Sequence, residues 1–465
     1  MALRLHNTLT QKREEVVSLK DNQLRMYTCG PTVYDFVHIG NFRTFTFQDL
    51  LRRYLIYKGF DLTHVMNITD VDDKIIAGAK AAGGAIKEFT APFAEAFLED
   101  MQTLRLQRPE IMPNATEHID EMLSLILRLR DRGYTYESEG STYFRIDKFP
   151  DYGKLSGVQL SEFEPGEAID ADEYSKENPR DFVLWKARKP EEAFWDSPLG
   201  PGRPGWHIEC SAMSMKYLGE GFDLHGGGID LVFPHHENEI AQSEGATDRP
   251  FVRHWVHNAH LIVDGEKMSK SSGNFYTLRD LIQRGCNPIA LRYLLLSVHY
   301  RKQLNFTLEG VNQAAAALDR VNDFVGRVRE VSDRSDENPE LTKRIVRART
   351  DFESSLDDDL NSSGALAAVF QLARETNLLL EQGQVGRTNR EAILDFLKDV
   401  NRVFDVFQLE EDQLDDQQVA DLIQEREEAR RNRDYARGDE IRNLLAQKGI
   451  VLEDTREGTR WKRAT

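Results

Sequence analysis

The feature that most constrains this chain is a strand, a glycine-punctuated turn, a helix and a second strand packed into residues 24–67. Leu24 to Cys29 reads as a short strand, and a turn through Gly30, Pro31 and His38-Ile39-Gly40-Asn41 follows. The spacing of Phe42, Phe45, Leu50, Leu51, Tyr54 and Leu55 predicts a helix from about Phe42 to Lys58, ended by Gly59. Asp61 to Asn67 reads as the second strand. Two strands joined by one helix pair in parallel, and a parallel sheet needs helices on both faces. The chain is thereby committed to an α/β fold. At such a strand-to-helix junction, small residues let a phosphate approach the backbone and the new helix N-terminus attracts its charge. His38 can donate a hydrogen bond to that phosphate. A plain strand-to-helix turn would use the same residues, so this stretch alone does not decide.

Further along, residues 117–204 change character. A helix from Glu117 to Arg132 and a strand-like Ser141 to Ile146 give way to polar sequence punctuated by Pro and Gly. This reads as an insertion between two halves of one sheet. The second half resumes near Trp206, with a Gly-rich turn at Gly226 to Gly228 and a polar helix after it. Beyond the loop Lys267-Met268-Ser269-Lys270-Ser271 the pattern is helical to about Phe407; Gln313 to Val328 and Gly364 to Leu380 carry apolar residues at helical spacing, as in a bundle. An acidic linker, Glu410 to Gln418, leads to an arginine-rich helix, Asp421 to Lys448, then Gly449 and a strand, Ile450 to Leu452.

The expected segments are two sheet halves, 1–116 and 205–250, around an insertion at 117–204, then a loop and stem-contact region at 251–312, a bundle at 313–409 and a terminal module at 410–465. The fold class is therefore a Rossmann-like parallel-sheet domain with an inserted connective domain, an α-helical bundle and a small mixed α/β module.

Composition sets limits on partners. With 465 residues, 40% hydrophobic and 30% charged, the chain reads as a multi-domain globular protein. A net charge of −18 gives no general affinity for polyanions, so nucleic-acid contact must come from local basic surfaces. The N-terminus shows no secretory leader, and the richest apolar run, Leu291 to Val298, is broken by Arg292 and followed by His299, so no membrane association is expected. Three cysteines, Cys29, Cys210 and Cys286, argue against a disulfide framework and for the cytoplasm. Cys286, in a Gly-Cys-Asn-Pro turn, reads as an ordinary structural thiol.

Two further stretches carry chemistry. In Glu266 to Asn274, Lys267 and Lys270 lie three apart in a Ser- and Gly-rich loop, a cationic arm suited to a triphosphate. In Phe233-Pro234-His235-His236-Glu237-Asn238-Glu239, helical spacing puts His235 and Glu239 on one face as a candidate metal-ligand pair. Cys29 and Cys210 are their natural thiolate partners. A zinc-protease HExxH reading fails, because Ile240 stands where the second histidine belongs.

The stretches CGPTVYDFVHIGN, GWHIECSAM, DLHGGGIDLVFPHHENEIAQS and GEKMSKSSGN resemble the cysteinyl-tRNA synthetases of class I. LNFT, DDDLNSSGAL and GIVLEDTREGTRW extend the resemblance over nearly the whole chain. One departure is Asn41, where the class signature ends in a second histidine; an amide can still donate to a phosphate oxygen. The resemblance implies that Cys29, Cys210, His235 and Glu239 hold one Zn²⁺ and that the cysteine sulfur binds it. Either the ion becomes five-coordinate or Glu239 loosens. It further implies ATP with Mg²⁺ across the crevice, His38 and Asn41 facing the phosphates, Gly228 and Asp230 near the ribose, and Lys267 and Lys270 stabilising the leaving pyrophosphate. Thr69, Trp206 and His225 are expected to contact the amino acid, with His207 and His257 shaping the pocket.

The implied partners are L-cysteine, ATP and tRNA(Cys), with Arg430, Asp439, Asp454 and Trp461 as candidates for reading bases. A ligase that passes cysteine to a small amine would need no C-terminal module. A silent tRNA-binding relative would need neither the lysine loop nor the metal set.

Overall fold

The computed structural model describes residues 2–159, 176, 178, 180–190, 192–269, 273–333, 337–409, 416–432, 434–447, 450–455 and 458–463. The chain divides into two compact units, Met1–Phe407 and Gln408–Thr465.

The first unit opens with an antiparallel hairpin, β1 (Arg4–Asn7) and β2 (Lys12–Glu15). Then come β3 (Gln23–Thr28), α1 (Ile39–Tyr57) and β4 (Asp61–Met66), the expected crossover, with β3 and β4 parallel. The helix begins three residues earlier than the apolar spacing suggests. His38 has extended backbone and accepts a hydrogen bond from the Asn41 N–H, so Gly40 and Asn41 lie in the first turn and not before it.

Asp72 caps α2 (Asp73–Ala82), and α3 (Ile86–Thr103) and α4 (Ile119–Asp131) follow. The insertion builds its own antiparallel sheet from β5 (Thr135–Ser138), β6 (Ser141–Phe144), β7 (Phe182–Ala187) and β8 (Gly202–Pro204), in that order. Phe144, Phe182 and Trp185 share one hydrophobic core with Ile208 and Cys210, so the insertion is packed into the core that also holds α5 (Trp206–Leu218).

After α5 (Trp206–Leu218) come β9 (Phe222–Gly228), α6 (Glu237–Thr247) and β10 (Val252–Asn258). The main sheet runs β10-β9-β3-β4, all parallel. The chain leaves β3 toward β4 and leaves β9 toward β10, so the order reverses between β3 and β9. The crevice outside their carboxyl ends is where such sheets bind ligands. Gly226 to Gly228 are the last residues of β9 and not a turn. The glycines serve packing: a Cβ on Gly227 would sit 2.8 Å from His236 Cε1.

Next, β11 (Leu261–Val263) pairs with β12 (Glu266–Lys267), and Thr277 caps α7 (Leu278–Gln283). Helix α8 (Pro288–Ser297) is followed by a short strand, β13 (Leu304–Phe306), which pairs in parallel with β11 and interrupts the continuous helical pattern expected here. The bundle comprises α9 (Leu308–Arg329), α10 (Pro339–Asp357), α11 (Ser362–Glu381) and α12 (Arg387–Phe404). Polar residues start three of these helices: Thr307, Asn338 and Asn361 each accept backbone N–H groups of the first turn. The run Asp357-Asp358-Asp359 ties the bundle to the rest. Asp357 accepts from Tyr54 Oη at 2.7 Å, Asp358 pairs with Arg13, and buried Asp359 accepts from the His6 N–H at 2.8 Å and Tyr300 Oη at 2.5 Å.

The second unit has two helices, α13 (Asp416–Arg431) and α14 (Tyr435–Gln447), where one was expected, and a hairpin, β14 (Ile450–Thr455) with β15 (Gly458–Arg463), where one strand was expected. The second helix lets the pair close on a shared core of Val419, Ile423, Ile441, Leu445 and Ile450, which a single helix could not enclose. Of the linker, residues 410–415 lie outside the described residues, as do Lys448 and Gly449. No helix among the described residues is long and apolar enough to cross a membrane.

Candidate active site

The crevice collects side chains from five places. Cys29 follows β3, Thr69 follows β4, Cys210 sits on α5, His225 on β9, and His235 and Glu239 at the entry to α6. His235 lies in a wide helical turn, Val232–His236, and not in α6 itself; Phe233 within it is extended. The turn still brings His235 Nε2 to 3.2 Å from Glu239 Oε1. The two sulfurs are 3.9 Å apart, and Cys29 Sγ is 3.9 Å from the same Glu239 oxygen. One ligand atom from each of Cys29, Cys210, His235 and Glu239 falls within 4.8 Å of the others, all buried, an arrangement that could hold a metal ion. Cys286 lies elsewhere in the fold, half-buried before α8.

Electrostatics in this cluster follow from mutual contact. Burial, reinforced by Cys210 and Glu239, pushes the Cys29 thiol well up, whereas the hydrogen bond from Cys29 draws Cys210 down to about 6. Burial opposes charge on His235, but the Cys210 sulfur and the Glu239 carboxylate outweigh it and hold its proton up to about 10. Burial would also raise Glu239, yet His225 and His235 bring it down to about 2.

Around the cluster stands a layer of histidines. Glu239 splits its oxygens: Oε1 faces the cluster and Oε2 is 3.0 Å from His225 Nε2. His225 is wholly buried and stacks on Trp255. His207 Nδ1 is 2.9 Å from His235 Nδ1. Trp206, 40% exposed, stacks on the His235 ring at 4.2 Å.

Sequence reasoning passed over His236, whose Nε2 lies 3.4 Å from Cys29 Sγ; Cys29, His225, His236 and Glu239 form a second four-donor set. His236 Nδ1 meets His257 Nε2 at 2.7 Å, and burial drives His236 well down and His257 to about 3. Asn67 and Glu209 were missed as well. Thr69 Oγ1 donates to Glu209 Oε2 at 3.1 Å and accepts from Asn67 Nδ2 at 3.0 Å, and the Gly30 N–H donates to Asn67 Oδ1 at 3.1 Å. The only sequence signal for Glu209 was its place beside Cys210.

The nucleotide side is built from two loops held together. The Ile39 N–H donates to the Tyr276 carbonyl at 3.0 Å, and the His38 ring meets Phe275 edge-on at 5.1 Å. Because His38 Nδ1 accepts from the Asn41 N–H, its Nε2 carries the proton and is a donor. Gly40 faces the lysine loop: a Cβ there would lie 3.0 Å from Met268 Cε. Lys267 is exposed on β12, and Asn274 closes the loop by donating to the Lys267 carbonyl at 3.2 Å and accepting from the Ser269 N–H at 2.8 Å. Lys270 lies outside the described residues. Asp230 and Asn41 are exposed; a Cβ on Gly228 would lie 2.4 Å from Asp230 Oδ1, so Gly228 leaves room for that carboxylate.

In the second unit Arg430 and Asp439 are exposed on α13 and α14. Trp461 is half-buried opposite Leu452 and packs on the unit's core, and Asp454 faces Thr459 across the hairpin.

A parallel sheet of this order with its site at the switch point is the class I tRNA synthetase architecture. The family model for the class I (C) tRNA synthetase catalytic domain matches residues 15–316, and that for the DALR domain matches residues 351–409. Among solved structures, Mycobacterium tuberculosis methionyl-tRNA synthetase in complex with methionyl-adenylate shares the fold, with a TM-score of 0.64 at 15% identity over 82% of this chain and 92% of that one. Curated cysteine–tRNA ligases of Solibacter usitatus and Koribacter versatilis are 52% and 48% identical, each over 100% of both chains. That of Geobacillus thermodenitrificans is 44% identical over the same full coverage. The chain belongs to the cysteine–tRNA ligase family.

Proposed function

We propose that this chain activates L-cysteine with ATP, releasing pyrophosphate, and transfers the cysteinyl group to the 3′ end of tRNA(Cys). The buried cluster of Cys29, Cys210, His235 and Glu239 at the sheet's switch point carries this reading, because it supplies a chemical means of choosing a thiol.

Zinc fits the donor set. A tetrahedral Zn²⁺ with sulfur at about 2.3 Å and nitrogen or oxygen at about 2.0–2.2 Å gives ligand edges of about 3.8 Å between sulfurs and about 3.4 Å between nitrogen and oxygen. The corresponding separations are 3.9 and 3.2 Å. Bound there, zinc would take the substrate as a thiolate, a ligand that serine cannot offer. An apolar pocket alone would separate two such isosteres by only about 1–3 kcal/mol.

The residues divide the work. His225 holds Glu239 in place through Oε2, and His207 and the stacked Trp206 ring orient His235. Thr69, held by Glu209 and Asn67, lines the amino-acid side. His38 Nε2–H and the Asn41 amide face the ATP phosphates, which Mg²⁺ accompanies. Gly228 and Asp230 receive the ribose, and Lys267 and Lys270 offset charge as pyrophosphate leaves. The substrate carboxylate attacks the α-phosphorus and expels pyrophosphate, and the terminal ribose hydroxyl of the tRNA then attacks the adenylate's acyl carbonyl and releases AMP. Positioning and electrostatics suffice for both steps. Residues 313–409 and the C-terminal unit grip the tRNA, with Arg430, Asp439, Asp454 and Trp461 toward the bases, and the enzyme works in the cytoplasm.

Cysteine-dependent exchange of pyrophosphate into ATP, with and without purified tRNA(Cys), tests the proposal. Exchange with cysteine but not serine, followed by tRNA charging, is expected. Exchange without any charging would favour a small-molecule ligase.

A further inference from the structure

We propose that Thr8 is a positioning residue for the Cys29 sulfur, acting from the N-terminal hairpin turn through His257 and His236. Three contacts form one line. Thr8 Oγ1 is 2.7 Å from His257 Nδ1, His257 Nε2 is 2.7 Å from His236 Nδ1, and His236 Nε2 is 3.4 Å from Cys29 Sγ. Every group in the line is buried. Nothing in the catalytic reading above uses Thr8 or the hairpin that carries it.

Thr8 is aimed by backbone contacts that do not involve its hydroxyl. Its N–H donates to the Trp255 carbonyl at 2.8 Å, and the Trp255 N–H donates to Asn7 Oδ1 at 3.1 Å. This pins the turn along β10, two residues from His257. Asn7 Nδ2 adds a bond to the Arg253 carbonyl at 3.0 Å.

The line has only two self-consistent polarities, because a neutral imidazole carries one donor and one acceptor nitrogen. In one, the Thr8 hydroxyl donates to His257 Nδ1, His257 Nε2–H donates to His236 Nδ1, and His236 Nε2–H points at the sulfur. In the other, every bond is reversed and Cys29 must supply an S–H. A Cys29 that serves as a thiolate ligand requires the first. A hydroxyl supports it by rotation alone, with the backbone unmoved. Without that hydroxyl, the Nδ1 lone pair of His257 is left buried with no donor, and the polarity that aims His236 Nε2–H at the sulfur loses its outer support. Hydrogen bonds to ligating sulfur tune its donation to a metal, and outer partners of ligands commonly control metal affinity. Thr8 thus sets, from outside the crevice, how the Cys29 sulfur meets a metal and hence how that site receives a substrate thiol.

This inference rests on the metal reading of the cluster, and its test separates the two. The full chain is loaded with Co²⁺, whose thiolate-to-metal absorption reports on the sulfur ligands. Relative to wild type, Thr8→Val is expected to shift that absorption and to lose metal to a chelator about tenfold more readily. It should raise KM for cysteine while KM for ATP stays unchanged. Thr8→Ser is expected to restore all three. Melting temperature is read alongside, and Thr8→Ala is the second variant should valine disturb the turn. A Thr8→Val or Thr8→Ala protein with wild-type absorption, metal retention and KM for cysteine overturns the role of Thr8 while leaving the metal reading intact. Loss of one full equivalent of metal in His236→Asn would also overturn it, since His236 would then be a ligand and not a relay. Absence of any thiolate-to-cobalt absorption in the wild type overturns the metal reading and this inference with it.

Discussion

Asp49 and Arg292, 243 residues apart in sequence, meet at 2.5 Å in the interior, with the guanidinium wholly buried. The same carboxylate oxygen accepts from Arg53 Nε at 2.8 Å. Arg292 spends its other donors on the carbonyls of Phe404 and Leu104, at 2.7 and 3.0 Å. One charge cluster thereby joins α1, which His38 caps, to α8 and the end of α12. Asp49→Ala leaves the buried Arg292 guanidinium without its counter-charge and leaves Arg53 with Asp405 alone, at 3.0 Å. A destabilisation of about 3–5 kcal/mol is expected, the usual result of removing one partner of a buried pair. Denaturant unfolding of the purified chain measures it, and an unchanged midpoint would show that the cluster is not holding the helices.

Cys210→Ser should abolish stoichiometric zinc and weaken cysteine binding far more than ATP binding. The sulfur stands 3.9 Å from Cys29 and belongs to the candidate metal set, whereas His38 and the lysine loop are built from other segments. Metal analysis and separate titrations of the two substrates check this. Full metal occupancy with ordinary cysteine affinity would rule out the assignment.

Lys270→Ala should slow adenylate formation by about 2–4 kcal/mol of transition-state stabilisation with little change in cysteine affinity, as when one preorganised donor is removed. Lys267→Ala should act in the same direction, since Lys267 is exposed at the loop's base and Asn274 holds its backbone. Single-turnover activation at the wild-type rate in both variants would reduce the loop to a surface charge.

His64 connects pH to stability. It is wholly sheltered beside Thr28, and burial, with Arg52 nearby, lowers it from 6.5 to about 3. The unfolded chain takes up a proton near pH 6.5 that the fold refuses, so the stability His64 contributes is complete above that pH and is lost as pH falls toward 3. His64→Gln should therefore flatten the decline of stability between pH 6 and 4 by about 1.4 kcal/mol per pH unit. Unfolding midpoints measured across that range provide the check; parallel curves for variant and wild type would contradict it.

Truncation after Leu409 should leave a protein that binds zinc and makes cysteinyl-adenylate yet charges tRNA poorly and no longer discriminates against anticodon changes. The first compact unit ends at Phe407, close to that cut. The second unit supplies exposed Arg430 and Arg431, although Arg437 is already committed to Glu425 at 2.9 Å and Glu440 at 3.0 Å. Full-length protein should show a steep salt dependence of tRNA binding. Equal charging by both proteins would make the C-terminal unit dispensable.

What the sequence by itself determined was whatever repeats over a few residues. Phe42 to Leu55 at helical spacing between two short strands dictated a parallel sheet, and β3, α1 and β4 fall there. Thr307 and Asn361, inside two of the quoted motifs, cap helices because a short polar side chain can reach the next turn's N–H groups. Ligand-type chemistry at Cys29, Cys210, His235 and Glu239 was equally legible, since it depends on residue type.

Only the tertiary structure decided where those groups meet. Cys29 and Cys210 are 181 residues apart, and their 3.9 Å separation is set by α5 packing against the sheet. It also decided that Glu239 divides its oxygens between His235 and His225, that Gly226 to Gly228 extend a strand so that His236 can pack against Gly227, and that a threonine near the N-terminus meets His257. Local pattern encodes a backbone conformation, because sterics act between neighbours in the chain. A side-chain contact across a sheet depends on register and packing summed over the whole core, and no window of sequence contains that sum.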